Sequence, residues 1–312
     1  MMRWLGIDGG GTKTAFSVFD ENMQKMGEAF ELGTCHFAQV GLDGMQDVLK
    51  QGIVLAETSG LLGNDWGIGF GLAGYGQEPD VRKRIEHAVD SCVRDVVSRH
   101  PYELVNDVEA AHAAALGLAD GIVVVAGTGS IAYGVHGAAH ERCGGWGCEI
   151  GDEGSGWWIG RETVRAFSRQ SDGRSSRGPL ADIVCRRLGL SEDADIIGYM
   201  RRNVRGSRTK TAQLSQLAYL AASAGDVDAL DIFVRAANED ALLVQVLARK
   251  LFPEASLASV ATSYVGGTFR AGSMLLDPFE KALPDCCLLK APLFEPAAGA
   301  CLLLRRRLET TC

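Results

Sequence analysis

Several features that would mark common protein classes are missing from this chain. No apolar run approaches the ~20 residues of a membrane-spanning helix, so no membrane role is expected. Basic side chains are outnumbered, 31 against 39 acidic ones, which gives a net charge of -8. That balance disfavours nucleic acid as a partner, because a phosphate backbone requires a basic face.

Cysteine pairs and targeting signals are also lacking. The nine cysteines form no C-x-x-C pair and no zinc-ligand spacing, and an odd number argues against a complete disulfide framework. The chain reaches Asp8 and a glycine run too early for a secretory signal peptide. We therefore expect a reducing, cytoplasmic location.

Glycine, by contrast, is abundant. It accounts for 39 of 312 residues, well above the ~7% average, and several glycines end apolar runs, where turns approach ligands. The hydrophobic share of 46% is that of a globular protein, and the length suits two domains.

The two halves of the chain share a pattern. Each opens with a strand, a glycine-threonine turn, a strand, a polar turn and a strand. This weak internal repeat predicts two similar α/β domains that face each other across a cleft. The predicted strands are residues 4–8, 15–20 and 25–30 in the first half and 121–126 and 131–135 in the second, with further strands at 102–105 and 260–265. Residues 140–147 are expected to pass through a third strand into a loop. Helical patterns cover residues 80–99, 108–116, 209–252 with a break near 225–226, and 297–308.

The first candidate site is the segment GIDGGGTKT at residues 6–14. Asp8 ends a strand, the glycines let backbone N–H groups approach an anion, and Thr12 and Lys13 add donors. A Walker A loop would require lysine at position 12, where threonine stands. An ordinary glycine hairpin is the alternative interpretation.

The second candidate is the turn GTGS at residues 127–130, directly after GIVVVA. With Ala132 it matches the dinucleotide fingerprint G-x-G-x-x-A, but that fingerprint requires a helix to begin in the turn. The following residues predict a strand instead, which favours a hairpin whose turn holds a phosphate.

Asp107 is the candidate catalytic carboxylate, in the segment NDVEAAHAA. It lies where a strand meets a helix, the usual place for a ligand-facing residue in an α/β fold. Aspartate is equally suited to capping a helix N-terminus. The sequence leaves both roles open.

Residues 143–160 combine glycines, acids and tryptophans at a density that suits a sugar site. Carboxylates accept hydrogen bonds from sugar hydroxyls, and aromatic rings cover the apolar faces of the sugar. For Trp157 and Trp158 a position in the core is favoured. The paired glycines of VGGTF, residues 265–269, would let a flat base lie against the backbone.

These segments in this order resemble the N-acetylglucosamine kinases of the BadF/BadG/BcrA/BcrD ATPase family, within the actin/hexokinase superfold. The resemblance runs from residue 6 to about residue 270 and includes the EPAAGA segment near the C-terminus. The segments that carry it are GIDGGGTKT, LAGYGQ, NDVEAAHAA, VVVAGTGS, CGGWG, GDEGSGWWIG and VGGTF.

The resemblance implies an α/β fold of two actin-like (ribonuclease H-like) domains facing a central cleft. Residues 1–116, joined by a C-terminal helix at 297–312, would form the first domain, and residues 117–296 the second, with a helical insertion. It further implies a homodimer that uses ATP and Mg²⁺ to phosphorylate the 6-hydroxyl of an amino sugar. N-acetylglucosamine is the expected acceptor, with glucosamine and N-acetylmuramic acid as alternatives.

The same resemblance assigns roles to individual residues. Asp107 would be the base, and Asp8 and Asp107 would hold Mg²⁺, partly through water. The nucleotide-binding residues would be Gly10, Gly11, Thr12, Lys13, Gly127, Thr128, Gly129, Ser130, Gly266 and Gly267. The sugar-binding residues would be Cys35, His36, Gly74, Asp107, Gly145, Trp146 and Asp152.

One departure concerns Cys35, where family members tend to carry asparagine. A thiol is a weak donor and a weak acceptor, so a weaker grip on the acceptor is one expectation. The other is that His36 or a shifted backbone supplies the contact. The basic stretch at residues 201–210 is expected to be a solvated loop and receives no function.

Two rival functions remain at this point. An ATPase activator of a 2-hydroxyacyl-CoA dehydratase would need cysteines for an iron–sulfur cluster, and neither Cys143 with Cys148 nor Cys286 with Cys287 resembles a ligand set. The cysteines are expected to be small buried hydrophobic residues. A non-enzymatic sugar-binding regulator would usually carry a DNA-binding helix-turn-helix domain first, whereas this chain opens on the first strand.

Overall fold

A computed structural model of the protein describes residues 2–76, 78–97 and 100–311. They form two units: Met1–Val123 with Ala291–Cys312, and Val124–Lys290. Some positions used above lie outside the described residues, namely Gln77 of LAGYGQ, residues 98–99 of the predicted helix at 80–99, and Cys312.

The described residues contain ten strands and eleven α-helices. The strands are β1 (Arg3–Gly9), β2 (Lys13–Phe19), β3 (Lys25–Gly33), β4 (Trp66–Leu72), β5 (Tyr102–Asn106), β6 (Gly121–Ala126), β7 (Ser130–His136), β8 (Ala139–Gly144), β9 (Val260–Val265) and β10 (Cys287–Leu289). The helices are α1 (Phe37–Thr58), α2 (Pro79–Val97), α3 (Asp107–Leu116), α4 (Gly156–Ser171), α5 (Pro179–Leu188), α6 (Asp195–Tyr199), α7 (Arg208–Gln213), α8 (Ser215–Ser223), α9 (Val227–Leu251), α10 (Ser273–Ala282) and α11 (Pro296–Thr311).

Each unit is built on a five-stranded sheet. The strand order is β3-β2-β1-β4-β5 in the first unit and β10-β9-β6-β7-β8 in the second. In the first sheet β1 pairs antiparallel with β2 and parallel with β4, and β4 pairs parallel with β5. The two orders become the same when each strand of the first unit is matched with the strand five places later. The internal repeat predicted from the sequence is therefore confirmed in the strand topology, and so is the α/β class.

Both faces of the first sheet are covered. On one face, Leu49 of α1 and Val89 of α2 belong to the same buried cluster as Ile7 and Phe70 of the sheet. On the other face, α11 packs with Trp4 and Phe19. Strands buried on both faces are expected to be nearly continuous in apolar residues, as β1 and β4 are.

Alternating glycines in β4 let α11 approach the sheet closely. A Cβ added at Gly69 would stand 2.4 Å from the backbone nitrogen of Cys301, and one at Gly299 would stand 1.8 Å from the carbonyl oxygen of Ala110 in α3. Both glycines therefore make room for backbone. The glycines of β4 also weaken the strand signal of WGIGFGL, so β4 was not predicted from the sequence.

The second unit carries more helix than the first. Its longest helix, α9, has 25 residues and begins where Asp226 caps it, directly after Gly225 in the left-handed region at φ +83°. The predicted helical break at residues 225–226 is thus confirmed. Residues 140–147 pass through β8 into a loop, as predicted, and the strand ends at Gly144, because Gly144 and Gly145 both have positive φ and turn the chain out of the sheet.

The basic stretch at residues 201–210 was predicted as a solvated loop, and this is wrong in part. A π-helical turn covers Met200–Val204, and α7 begins at Arg208 with Ser207 as its cap. The helix α1 was also not predicted. Among the described helices, none combines the length and the apolar character that crossing a membrane requires.

Candidate active site

Asp8 and the glycine turn lie at one end of the first sheet. Asp8 is the next-to-last residue of β1 and pairs with Gly71 of β4 on one side and Ala15 of β2 on the other. Gly71 has no side chain and stands against α3, since a Cβ there would lie 3.7 Å from the Cα of Asp107. The strand ends therefore bring Asp8 and Asp107 to the same edge of the sheet.

Side chains from the segment after β3 hold the glycine turn in place. The N–H of Gly10 donates to the carbonyl oxygen of Lys13 at 3.0 Å. Thr34 Oγ1 donates to the carbonyl oxygen of Gly10 at 2.9 Å, and Gln39 Nε2 donates to that of Gly11 at 2.7 Å. These contacts fix the turn before any ligand arrives. Lys13 pairs with Glu31, and both side chains are exposed.

The first residue of α3 is Asp107, but the cap of that helix is Asn106. Asn106 Oδ1 accepts from the N–H of Val108 at 3.0 Å, and its Nδ2 donates to the carbonyl oxygen of Tyr75 at 2.6 Å. Asn106 thereby satisfies the helix end and ties it to the turn that contains Gly74. The capping role that the sequence left open for Asp107 is filled by its neighbour.

Both carboxyl groups have a raised pKa, chiefly because they are buried. Burial, together with the nearby charge of Asp8, raises the pKa of Asp107 from 3.8 to about 7, against hydrogen bonds from the backbone at Val108 and at Asp107 itself. Burial likewise raises the pKa of Asp8 from 3.8 to about 6, offset in part by Lys13. Both residues keep part of their surface accessible to water. Two such carboxyl groups at one strand edge are typical of a functional site.

Cys35 and His36 lie beside this edge. Cys35 is 2% exposed, and its Sγ would stand 2.6 Å from a Cβ added at Gly9. Burial raises the pKa of the Cys35 thiol to about 11, and the charges of Asp8 and Asp107 contribute in the same direction, so the thiol is protonated at neutral pH. The thiol is therefore close enough to feel both carboxylates.

The imidazole of His36 packs on Gly74. A Cβ added at Gly74, which has φ +83°, would stand 3.2 Å from Nε2 of His36. His36 also caps α1, with Nδ1 accepting from the N–H of Ala38 at 3.3 Å. The structure thus brings together Asp8, Cys35, His36, Gly74 and Asp107 in the first unit.

In the second unit the turn at residues 127–130 joins β6 to β7. The N–H of Gly127 donates to the carbonyl oxygen of Gly129 at 2.9 Å, and the N–H of Gly156 donates to the carbonyl oxygen of Gly127 at 2.8 Å. Ser130 Oγ donates to the carbonyl oxygen of Glu153 at 2.5 Å. The GTGS turn is therefore locked to the segment GDEGSG that precedes α4, and the predicted hairpin is confirmed.

Asp152 lies at the centre of these contacts. It is 3% exposed, adopts φ +63°, and its Oδ1 lies 3.5 Å from the N–H of Ser130. Its other oxygen forms an ion pair with Arg208. Gly145 is adjacent, because its N–H donates to the carbonyl oxygen of Ser130 at 3.0 Å.

Trp146 is 66% exposed, with the guanidinium of Arg142 over its ring at 5.3 Å from the centroid. An exposed indole at the tip of a glycine loop is placed to meet a ligand rather than a core. Trp158, by contrast, is buried beneath Arg235, as the core interpretation predicted, while Trp157 is half-buried beside Arg161.

The glycine pair after β9 packs against the end of β6, the strand that leads into the GTGS turn. A Cβ added at Gly266, which has φ +119°, would stand 2.2 Å from the carbonyl oxygen of Ala126, so only glycine fits. Thr268 Oγ1 donates to that same oxygen at 2.6 Å. Gly267 is exposed. The predicted nucleotide residues of the second unit therefore form one neighbourhood.

Four residues of these neighbourhoods were not predicted from the sequence as site residues: Thr34, Gln39, Asn106 and Arg208. Thr34 and Asn106 could have been found, since a polar residue directly after a strand often braces the adjacent turn. Gln39 and Arg208 act across long sequence separations, and the sequence gives no signal for such contacts.

Asp240 forms a buried carboxyl behind the GDEGSG segment. It is 0% exposed, and its Oδ1 would stand 2.5 Å from a Cβ added at Gly154. Burial raises the pKa of Asp240 well above its usual value, with Glu239 adding to the shift. The Asp240 side chain fills the space that the missing side chain of Gly154 leaves.

Cavities elsewhere do not compete with these neighbourhoods as the reaction site. One cavity, of about 720 Å³, lies among α5, α7 and α8 of the second unit and is lined by Arg187, Lys210 and Tyr219, among others. A cavity of about 500 Å³ in the first unit is lined by Tyr75, Glu86, Arg307 of α11 and residues of β5, among others. Neither is lined by the predicted nucleotide residues.

No group of three or more His, Cys, Asp and Glu side chains suited to a metal ion occurs among residues 2–76, 78–97 and 100–311. The cysteines of that part of the chain are free and include Cys143, Cys148, Cys286 and Cys287.

Nearly the whole chain, including the residues described above, matches a known protein family. The sequence profile of the BadF/BadG/BcrA/BcrD ATPase family matches residues 5–303. The chain belongs to this family. Its fold is that of the actin-like sugar kinases, with a solved structure of a candidate N-acetylglucosamine kinase from Chromobacterium violaceum matching at a TM-score of 0.72 and 26% identity over 97% of this chain and 98% of that one.

Two named relatives cover most of this ATPase family member. The N-acetyl-D-glucosamine kinase of Dictyostelium discoideum is 29% identical over 317 residues, which span 96% of this chain and 97% of the relative. The N-acetylmuramic acid/N-acetylglucosamine kinase of Clostridium acetobutylicum is 29% identical over 284 residues, 89% of each chain.

Proposed function

We propose that this protein transfers the γ-phosphoryl group of ATP to the 6-hydroxyl of an amino sugar, with N-acetylglucosamine as the preferred acceptor. The observation that carries the proposal is the pair Asp8 and Asp107 at one strand edge, beside a braced glycine turn. Membership of an ATPase family and the names of the two relatives support the same activity.

Asp107 is proposed as the general base. Because Asn106 caps α3, the Asp107 carboxylate is available to accept the proton of the attacking hydroxyl. A pKa raised to about 7 brings this base near neutral pH, where proton transfer is most effective. In phosphoryl transfer the protein contributes chiefly positioning and electrostatic stabilisation, so one well-placed base and a rigid phosphate site account for most of its work.

ATP is proposed to contact a glycine turn in each unit. In the first unit the contacts are Gly10, Gly11, Thr12 and Lys13, and in the second they are Gly127, Thr128, Gly129 and Ser130. Gly266 and Gly267 are proposed to lie against adenosine, since their lack of side chains leaves a flat backbone surface. The hydrogen bonds that fix both turns support this role, because a preformed site costs little to organise.

Magnesium fits the first-unit residues. Burial is the main cause of the raised Asp107 pKa, the charge of Asp8 adds to it, and a nearby cation would relieve that repulsion. Mg²⁺ is commonly held by one or two carboxylates, water and substrate phosphates, so a protein cluster of three ligands is not required. Asp8 and Asp107 would hold the ion, partly through water. Bound there, it would neutralise charge on the phosphates.

The acceptor is proposed to contact Cys35, His36, Gly74 and Asp107 in the first unit and Gly145, Trp146 and Asp152 in the second. The exposed indole of Trp146 supplies an aromatic face of the kind that covers a sugar ring. N-acetylmuramic acid is a second candidate acceptor, because the Clostridium acetobutylicum relative is named for both sugars. Glucosamine is a third candidate acceptor, because Cys35 stands where family members tend to carry asparagine and a thiol would hold the acceptor less tightly.

A coupled assay of ADP release over a panel of hexoses and amino sugars tests the proposal. We expect N-acetylglucosamine to stimulate release strongly above the basal rate, and omission of Mg²⁺ to abolish the stimulation. If no sugar stimulates ADP release from folded protein, the proposed activity is wrong.

A cytoplasmic location and a homodimer are further proposals. The free cysteines and the need for ATP suit a reducing compartment that contains ATP. The dimer rests on the family resemblance and is tested by sedimentation velocity, which would give a monomer mass of 33.3 kDa if the proposal is wrong.

A further inference from the structure

Arg208 lies against the GTGS turn although it is 78 residues further along the chain than Ser130. It is the first residue of α7, whose cap is Ser207. Its Nη2 would stand 1.9 Å from a Cβ added at Gly129, so the guanidinium occupies the space that any other side chain at position 129 would fill. Glycine at position 129 is therefore what admits a positive charge to the turn.

A buried carboxylate fixes one edge of this guanidinium. Asp152 accepts from Nη2 of Arg208, and their side chains are 2% and 44% exposed. The pair is thus asymmetric: the acid is enclosed, whereas much of the arginine remains accessible. Asp152 is itself held by the turn, through the 3.5 Å approach of its Oδ1 to the N–H of Ser130.

The remaining donors of Arg208 have no partner within the described part of the chain. A guanidinium carries five N–H donors in a planar fork, and the contact with Asp152 uses one of them. The fork geometry of arginine suits a phosphate, which accepts two parallel hydrogen bonds. An anchored guanidinium with open donors beside a glycine turn is an arrangement suited to an anion.

We propose that Arg208 binds the phosphate chain of ATP at the GTGS turn, with Asp152 as the positioning residue that holds its guanidinium against Gly129. This rests on the proposed function, since it takes the turn to be the ATP phosphate site. The competing explanation is that Arg208 serves only to neutralise the buried carboxylate of Asp152.

Calorimetric titration with ATP, ADP and adenosine, without sugar, tests the proposal. For Arg208→Met we expect ATP and ADP to bind about 10- to 100-fold more weakly, the range for losing hydrogen bonds to a charged group, and adenosine to bind as in the wild type. Arg208→Lys keeps the charge but loses the fork and should fall between the two. Arg205→Met, a change in the same basic stretch at an exposed side chain, is the matched control and should leave all three affinities unchanged.

The double variant Asp152→Asn/Arg208→Met separates phosphate binding from charge neutralisation. If Arg208 binds phosphate, the double variant stays as weak for ATP as Arg208→Met. Recovery of wild-type ATP affinity in the double variant would overturn the proposal, as would an equal loss of adenosine affinity in Arg208→Met. Adenosine binding also reports that each variant is folded, and Arg208→Lys decides the matter if Arg208→Met does not fold.

The outcome is distinguishable from a failure of the proposed function. A wild-type protein that binds ATP but phosphorylates no sugar would contradict the proposed function, and the titrations would still decide the role of Arg208. A wild-type protein that binds adenosine and ATP equally tightly would overturn the Arg208 assignment.

Discussion

Asp107 carries the chemistry of the proposed reaction at the residue scale. We predict that Asp107→Asn lowers kcat by about 10²-fold or more, the range for losing a positioned base, and leaves ATP affinity unchanged. The folded-state pKa of about 7 lies above the unfolded value, so ionisation of this group lowers the stability of the wild type as pH rises from about 4 to 7. The melting temperature of the variant relative to wild type should therefore be higher at pH 8 than at pH 5.

Asn106→Ala is the matched control, because it removes the cap next to the base. We expect it to lose about 1 kcal/mol of stability, the usual cost of an N-cap, and to retain the Asp107 carboxylate. Measuring kcat and the melting temperature of both variants separates the two roles. A wild-type kcat in Asp107→Asn would show that Asp107 is not the general base.

The pH dependence follows from the same carboxyl group. A base acts only when deprotonated, so kcat/KM should rise with pH and level off above about 7, the raised pKa of Asp107. An unperturbed aspartate, with a pKa near 3.9, would give a flat profile above about pH 5. A rate profile from pH 5 to 9 at constant ionic strength distinguishes these cases, and a profile already flat at pH 5.5 would contradict the prediction.

A prediction about acceptor choice concerns Cys35, which lies against Gly9 and is influenced by both carboxylates. We predict that Cys35→Asn raises kcat/KM for N-acetylglucosamine relative to glucosamine by several-fold, in line with one recovered hydrogen bond. Cys35→Ala, which offers no donor or acceptor, should leave the ratio unchanged. Steady-state kinetics on both sugars decide the point. A ratio in Cys35→Asn equal to that of wild type would mean that position 35 does not touch the acceptor.

At the scale of elements, the packing of α11 on α3 depends on Gly299. A Cβ at this position would meet the carbonyl oxygen of Ala110 at 1.8 Å, and backbone cannot move aside as a side chain can. We predict that Gly299→Ala destabilises the protein by about 1–3 kcal/mol, the usual cost of overpacking, and displaces α3 together with Asp107. Activity should fall alongside stability.

The control for that prediction is Arg306→Ala, on an exposed position of the same helix. Surface changes of this kind usually shift stability by less than about 0.5 kcal/mol. Denaturant unfolding of both variants tests the claim, and equal stability of Gly299→Ala and wild type would show that α11 and α3 separate at no cost.

Elements whose signal is local could be predicted from the sequence, and the others could not. The strand at residues 121–126 was predicted with its observed bounds because it is a short apolar run between turn residues. The strand β4 and helix α1 were missed, and both contain glycines that make room for residues distant in the sequence. In α1, a Cβ at Gly52 would stand 2.1 Å from the ring of Phe16 in β2, so the glycine reflects packing that no local pattern reveals.

At the scale of the whole molecule, the sequence predicted the repeat because both halves carry the same order of strands and turns. It also placed Asp107 at a strand–helix junction, yet could not assign the cap to Asn106, since both residues suit that role. The pairing of Arg208 with Asp152 spans 56 residues and depends on tertiary structure alone. The residues of the candidate site were thus accessible from motifs, whereas the contacts that position them were not.

Phosphorus–proton correlation NMR of the reaction mixture tests most directly whether the protein transfers a phosphoryl group to the 6-hydroxyl of an amino sugar. Wild-type protein with ATP, Mg²⁺ and N-acetylglucosamine should yield ADP and a sugar phosphate in equal amounts, with the new phosphorus coupled to the two protons on C6. Phosphorus coupled to any other sugar proton, or no sugar phosphate from folded protein, would contradict the account.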